Sequence, residues 1–496
     1  MDWQRGDAIV VEFGADMSGR IVIVSNRVAV PETPRAPVAG GLAVAVKAVL
    51  KNRNGLWFGW SGKVDDAAAG AEPHTIQMNK ITYSLIHLSN LDYQEYYNGL
   101  ANRVLWPILH YRVDLQEYSR ADATGYMRVN RLLADKLSSF IREDDVIWVH
   151  DYHLMPFGRE LRAKGHKNRI GFFLHIPFAP PDIAQALPSH REILGSLAYY
   201  DLVGFQTEND RDNFANYLTL HGARQMRNGA YEIDGLRVRL GAFPVSIETA
   251  IYARMARNAA RSPLVRRVKE SLGECRLILG VDRLDYSKGI PERIKGFERF
   301  LEGHPHWHSR VTLLQITPKS RSEIKEYSDM EAEVTGLIGR INGRFGDVAW
   351  TPIRYVNKSY SRTALAGIYR AADVTMVTPL RDGMNLVAKE YVAAQDAANP
   401  GVLILSEFAG AAKELHGALL INPHEADAVA AALARALEIP LDERRARHAP
   451  MLEYLLENDI KAWSEEFLSA LGDNSQGLGL LDGIRALFGE TAEQRA

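Results

Sequence analysis

Two doubly wound α/β domains in series are what this sequence predicts, and three observations predict them. Unbroken apolar runs of four to six residues alternate with longer amphipathic stretches along most of the chain. Polar and charged residues gather directly behind those runs. The length, 496 residues, makes two to four domains at roughly 100–200 residues each. An apolar run without alternation suits a strand covered on both faces, as in a parallel sheet. Open α/β sheets bind ligands at the carboxyl ends of such strands, where these polar residues lie.

The elements follow in order. The run 21–24 reads as the first strand and leads into Ser25, Asn26 and Arg27. Strands are predicted over 146–149, 170–174 and 202–205, with His150 and Asp151, His175, and Gln206 to Glu208 behind them. The second half repeats the rhythm. The run 277–281 leads to Asp282 and Arg283, 311–316 to Thr317, Lys319 and Arg321, and 374–377 to the polar stretch 378–385. Runs at 402–405 and 419–421 follow. Helices are predicted over 42–50, 386–395, 428–437 and 459–471. Pro244 interrupts the end of a strand, so the domain boundary is set near 243–247. Residues 20–243 form the first domain and 244–458 the second. The helix 459–471 is expected to pack back on the first. Residues 1–19 and 472–496 are expected as loose extensions. There is no fixed-period repeat.

Composition narrows the class. Hydrophobic residues at 46% and charged residues at 24% exclude a disordered or fibrous chain. Lys plus Arg is 59 and Asp plus Glu is 61, a net charge of −2. Nothing global draws such a chain to nucleic acid or to an anionic membrane, so a bound anion must be held by a few local cations. The lone Cys275 excludes an intrachain disulfide and reads as structural. No apolar run approaches the roughly 18–20 residues that span a bilayer. The N-terminus lacks a basic leader before its apolar stretch and does not read as a signal peptide. A soluble cytoplasmic protein is expected.

Several stretches could carry chemistry. Gly40 and Gly41 open a small-residue helix and could let backbone N–H groups approach a phosphate. Arg283 and Lys288 lie within six residues at a strand's carboxyl end, where they could neutralise a diphosphate. Pro291 suits the first turn of the following helix. The densest segment is 378–390, TPLRDGMNLVAKE. It offers Asp382, the backbone N–H groups of Gly383, Met384 and Asn385, a helix N-terminus, and Glu390 one turn in. The segment 55–62 sets Trp57 and Trp60 between glycines, and Tyr96, Tyr97 and Trp106 follow. Aromatic faces pack against the apolar faces of sugars, and the glycine spacing predicts a loop for Trp60. His150, His153 and His175 invite a metal reading, but the sequence has neither an HExxH nor a paired Cys-x-x-Cys to set ligands at a defined separation. Hydrogen bonding by Asp151 and His175 at adjacent strand ends is the better reading. Asp210 reads as the capping-box acid of a helix begun by Thr207.

These stretches together resemble a known family. NRVAV, AGGLAVAV, GLWFGWSG, EYYN, LWPILHYR, WVHDYHLMPF, RIGFFLHIPF, GFQTENDR, RLDYSKGIPER, GRINGRFG and TPLRDGMNLVAKEYVAAQ run in order from about 25 to 412 and are similar to the trehalose-6-phosphate synthases. The resemblance implies a GT-B fold, two Rossmann-like domains facing a cleft. It implies a retaining glycosyltransferase that moves glucose from a nucleotide donor, usually UDP-glucose, to glucose 6-phosphate without a metal or other cofactor. Carried over by position, Arg27, Tyr97, Trp106 and Arg321 hold glucose 6-phosphate. Gly41, Arg283 and Lys288 serve the diphosphate, and Asp151 and His175 lie by the reacting sugars. Asp382 and the backbone of Gly383, Met384 and Asn385 take donor hydroxyls. Trp60 is placed on the donor side, and Leu386, Val387, Glu390 and Tyr360 lie by the nucleoside. The catalytic set is Asp151, His175, Arg283, Lys288 and Asp382. The variant surroundings in 317–321 and 411–415 leave nucleotide preference open, as is assembly into a homo-oligomer.

The missing carboxylate pair favours front-face attack over a covalent glycosyl-enzyme. Glycerol 3-phosphate is a rival acceptor, against which Tyr97 and Trp106 favour a sugar ring. A silent sugar-phosphate sensor is a rival of another class, against which the intact Arg283, Lys288, Asp382 and Glu390 argue. A nicotinamide oxidoreductase would want a GxGxxG after the first strand, and none is there.

Overall fold

The computed structural model describes residues 19–31, 41–50, 54–318 and 325–473. The expected extensions, apart from Gly19, Gly472 and Asp473, and Arg321 lie outside the described residues.

Two sheets organise the chain. The first contains β1 (Ile21–Arg27), β2 (Gly55–Val64), β3 (His74–Met78), β4 (Ile81–Leu88), β5 (Val146–His150), β6 (Arg169–Phe173), β7 (Leu202–Phe205), β8 (Arg224–Gln225), β9 (Tyr231–Ile233) and β10 (Leu236–Ala242). Their order is β3-β4-β2-β1-β5-β6-β7-β10-β9-β8. The second contains β11 (Arg276–Val281), β12 (Val311–Ile316), β13 (Ile353–Val356), β14 (Val374–Val377), β15 (Val402–Ser406) and β16 (Leu419–Ile421), in the order β13-β12-β11-β14-β15-β16. The second sheet is parallel throughout. The first is parallel from β4 to β10 and closes each edge with antiparallel pairs.

The unbroken apolar runs are these central strands. Their side chains are buried on both faces, because helices cover both sides of a doubly wound sheet. The strands at the margins were not apparent in the sequence. β4, β10 and β13 mix polar with apolar residues, as strands near a sheet edge do.

One expectation is corrected. The segment holding Trp60 is not a loop but strand β2, and Trp60 is buried there. Its indole N–H donates to the Lys63 carbonyl at 2.7 Å. The glycines read as loop residues have another task. The Arg27 guanidinium lies so close over Gly62 that a Cβ would stand 2.6 Å from Nε.

The final helix, Ile460–Gly472, packs against β6 and β7 of the first sheet. Phe467 stacks on Trp148 with ring centres 4.4 Å apart, and Trp463 lies 5.1 Å from the same ring. Arg239 donates to the Ala470 carbonyl at 2.7 Å, and Arg169 to that of Gly472. The two crossings between domains are tied together. Trp463 Nε1 donates to the Phe243 carbonyl at 3.1 Å, the Ile460 amide to Ile247 at 3.0 Å, and the Thr249 hydroxyl to Leu455 at 2.6 Å. From the second domain, buried Lys389 donates to the Val245 carbonyl at 2.8 Å and pairs with Glu414 at 2.6 Å.

Beneath the second sheet's carboxyl edge lies a fully buried guanidinium, Arg293. It donates to Asp282 at 2.6 Å, Gln315 at 3.1 Å and the Thr378 hydroxyl at 3.0 Å. Removing one member of a buried ion pair costs about 3–5 kcal/mol. Arg293→Met should therefore lose about that much in urea unfolding, and a loss under 1 kcal/mol would show the network to be dispensable.

Candidate active site

The cleft is built where strands of both sheets end. From the first domain, β5 leads to Asp151 and β6 to His175. Asp151 adopts a left-handed backbone, φ 77°, rare for a side chain larger than glycine. Its Oδ1 accepts from the amides of Tyr152 at 3.0 Å and His175 at 3.3 Å. One carboxylate thus ties the two strand ends together. From the second domain, the loop after β14 presents Asp382 to Asn385. Asn385 is also left-handed, φ 76°, and caps the helix Leu386–Ala394 through its side chain. Strained backbone of this kind collects at binding sites, where the surroundings must hold it.

The two sides touch at Gly383. A Cβ there would lie 2.4 Å from the His175 carbonyl oxygen and 3.0 Å from Ile176 Cα. Only glycine permits this approach, which sets the backbone of the second domain against the end of β6.

Lys288 and Asp382 form a close pair, Nζ to Oδ2 2.6 Å, and Asn385 Nδ2 donates to the same oxygen at 3.0 Å. Asp382 thereby orients its loop as well as facing the cleft. Arg283 is exposed and makes no ion pair with a described residue. Its guanidinium lies 6.0 Å from the ring of Trp106, across the domain divide. The cation is held by an aromatic face and keeps its donors free for an anion.

Trp106 follows a thirteen-residue π-helix, Tyr93–Leu105, which carries Tyr97. Tyr97 stacks on His153 with centres 5.7 Å apart and packs on Trp60 at 5.6 Å. Trp60 is therefore a wall behind Tyr97. Arg27 is exposed at the end of β1. Gly41 begins the helix Gly41–Leu50. Leu386 and Val387 are half-buried at the start of the helix that Asn385 caps, and Met384 is buried before them. Tyr360 is half-buried before the helix Arg362–Ala371. Thr207 caps the helix that follows, its hydroxyl accepting from the Asp210 amide at 3.2 Å and donating to the Asp210 carboxylate at 2.6 Å. Among the described residues no three His, Cys, Asp or Glu side chains are grouped to hold a metal, and no helix is long and apolar enough to cross a membrane.

The model of glycosyltransferase family 20 matches residues 18–473. The chain belongs to glycosyltransferase family 20. A trehalose-6-phosphate synthase of Sinorhizobium fredii is 51% identical over 93% of this chain and 100% of its own. A solved structure of a Burkholderia xenovorans alpha,alpha-trehalose-phosphate synthase (UDP-forming), in complex with glucose-6-phosphate, matches with a TM-score of 0.87. It is 48% identical and covers 92% of this chain and 100% of that one. A structure of the E. coli relative, bound with UDP-2-fluoro glucose, matches with a TM-score of 0.87 at 47% identity, covering 92% of this chain and 100% of that one. The two facing sheets of this glycosyltransferase are the GT-B fold.

Nothing in the sequence marks His110, or Arg362 with Tyr252, as part of the glycosyltransferase cleft, and His150 stands out there only as a polar strand-end residue and a metal candidate. His110 is buried against the Trp106 ring, 4.2 Å between centres, and its Nδ1 lies 2.7 Å from the Trp106 carbonyl. Burial pushes its pKa down to about 4, although Asp285 and Asp382 oppose this across the divide. His150 lies under His175, with Nδ1 3.1 Å from its Nε2. Arg362 and Tyr252 face Glu390. Each sits in an apolar or helical stretch whose partner is far away in sequence, so no local spacing signals it.

Burial raises the Glu390 carboxyl from 4.5 to about 7, with Arg362 and Tyr252 pulling it back. The folded state therefore holds a proton that the unfolded chain has released between those two values. Stability from this group is full below about 4.5 and is lost as pH climbs through about 7. The urea midpoint of Glu390→Gln, relative to the parent, should rise across that window. A constant difference between the two proteins from pH 4.5 to 7 would show that Glu390 titrates normally.

Proposed function

We propose that this glycosyltransferase moves glucose from UDP-glucose to glucose 6-phosphate with retention, giving α,α-trehalose 6-phosphate and UDP. The observation that carries the reading is the meeting of Arg283 with Trp106, a diphosphate-type cation of one domain over an acceptor-type ring of the other. The glucose-6-phosphate bound to the Burkholderia relative and the UDP-2-fluoro glucose bound to the E. coli relative support the substrate pair.

In this reading Arg283 and Lys288 stabilise the departing diphosphate, with Gly41 close to it. Asp382 and the backbone of Gly383, Met384 and Asn385 hold donor hydroxyls. Glu390 takes the ribose, with Leu386, Val387 and Tyr360 beside the nucleoside. Arg27 and Arg321 hold the acceptor phosphate, and Tyr97 and Trp106 its ring. Asp151 and His175 flank the reacting carbons.

The bond from the donor's anomeric carbon to the phosphate oxygen breaks, and its electron pair leaves with UDP. The anomeric hydroxyl of glucose 6-phosphate attacks from the same face, and its proton passes to the departing phosphate oxygen. Fixed cations in a cleft of reduced dielectric do the charge stabilisation, so no metal is assigned.

Mass spectrometry and anomeric NMR of the product, from a panel of nucleotide-glucose donors and phosphorylated acceptors, test the reaction. A product other than an α,α-linked disaccharide phosphate overturns it. EDTA should leave turnover intact; loss restored by magnesium would refute the metal-free reading. Arg283→Ala should lower kcat by about a hundred- to thousand-fold, the usual worth of one such donor. A drop under tenfold would make Arg283 an ordinary surface charge.

Acceptor and donor roles should separate. Arg321→Ala should raise the KM for glucose 6-phosphate strongly and spare UDP binding measured by calorimetry. Glu390→Ala should do the reverse. The opposite pattern would overturn this division of the cleft.

A further inference from the structure

His150 ends β5, and none of the roles assigned above uses it. It is fully buried, with its ring 4.7 Å from Trp148 and 5.3 Å from His175. Its Nδ1 lies 3.1 Å from His175 Nε2. His175 is held from every side. Its amide donates to Asp151 at 3.3 Å, and its carbonyl accepts from Gln206 at 3.3 Å. Phe173 and Trp463 flank its ring at 4.8 and 6.3 Å. Its Nδ1 makes no hydrogen bond to a described residue and is not sealed from the cleft.

Both rings are neutral. Burial drives both down, His175 to about 3, and the His175 ring adds to the fall of His150. A contact between two neutral imidazoles carries a single proton, and its owner decides both tautomers. Suppose His175 Nε2–H donates. His150 must then keep its proton on Nε2, an N–H with no acceptor among the described residues. The same face of β5 already holds a second such group two residues earlier, Trp148 Nε1, which can only donate. Two unmatched donors side by side in a dry layer are costly. Suppose instead that His150 Nδ1–H donates. Then His150 Nε2 is an unprotonated acceptor in a ring 4.7 Å from the indole, and the layer is left with one unmatched donor rather than two.

We propose that His150 is a positioning residue that locks the tautomer of His175: His150 Nδ1–H donates to His175 Nε2, and His175 presents Nδ1–H to the cleft. This is the tautomer that a free imidazole in water disfavours. It makes His175 a hydrogen-bond donor, suited to an oxygen of the donor sugar lying against Gly383. That last step rests on the function proposed above; the tautomer itself does not.

The test is therefore read first without substrate. Two-bond 1H–15N correlation spectra of the full chain, labelled with 15N-histidine, report which ring nitrogen is protonated. His175→Asn identifies the His175 signals. Protonation at Nδ1 of both His150 and His175 supports the lock. A proton on Nε2 of His175, or fast averaging of its two nitrogens, overturns it.

Kinetics give a second, independent reading. His150→Asn keeps an amide donor near the place of Nδ1, while His150→Phe keeps the ring and loses the donor. His150→Phe should lower kcat/KM for the nucleotide-glucose by about tenfold, the worth of one well-made hydrogen bond. UDP affinity by calorimetry should not move, and His150→Asn should recover most of the loss. Equal impairment of the two variants, or none in His150→Phe, overturns the lock. Failure of the parent enzyme to bind UDP would instead fall on the donor reading, with the spectra untouched.

Discussion

Arg293 is the point on which the donor side of the cleft depends. Its guanidinium is sealed from solvent and reaches the exits of three parallel strands at once, Asp282 after β11, Gln315 in β12 and Thr378 after β14. Burial, with a smaller push from Asp382, raises Asp282, and Arg293 opposes that rise, so the acid and the cation justify each other in the interior. A buried ion pair is poor evidence of added stability. What this one supplies is registry: the loop with Arg283 and Lys288 and the loop with Asp382 leave the sheet at a fixed separation. The Thr378 hydroxyl extends the link to the Gly289 carbonyl at 3.2 Å, under the helix that follows Lys288. The pairing of Lys288 with Asp382 at 2.6 Å is a consequence of that spacing.

The opposite wall follows a different electrical rule. Its titratable rings, His110, His150 and His175, are all held neutral by burial. Positive charge at the centre of the cleft therefore comes from arginine and lysine, which stay charged across the physiological range. Such a division suits a reaction that expels a diphosphate. The cations sit where charge develops, and the histidines offer hydrogen bonds without competing for the anion. Tyr97 stacks on His153, and Trp60 backs it at a tilt, so that wall is packed aromatic on aromatic.

The domains are joined by more than their two crossings. Lys389 stands one residue before Glu390 and spends its buried ammonium on the Val245 carbonyl and on Glu414. The site helix is thus tied directly to the interdomain strand of chain. Trp463 and Thr249 add side-chain bonds to the same crossings. A movement of one domain on the other must pivot about these main-chain contacts, with Gly383 and His175 meeting at the far end.

How much of this was legible depended on the range of the signal. The central strands of both sheets could be read because burial on both faces leaves an unbroken apolar run, a purely local mark. The polar residues at their ends were legible for the same reason, and so were Thr207 with Asp210, since a cap is a contact over three residues. Trp60 was misplaced because glycines that make room for neighbouring chain, Gly59 for Ser25 and Gly62 for Arg27, look, in one dimension, like glycines that make a turn. His110 and Arg362 carried no sign at all, and His150 only that of a polar residue at a strand end. Their neutrality, their partners and their aim come from chains of contact between strand ends and helices remote in sequence, and a side chain's protonation answers to whatever surrounds it in space. The sequence by itself determined which residues stand at the strand ends. Only tertiary structure, by bringing low dielectric and distant partners together, decided what those residues are when they get there.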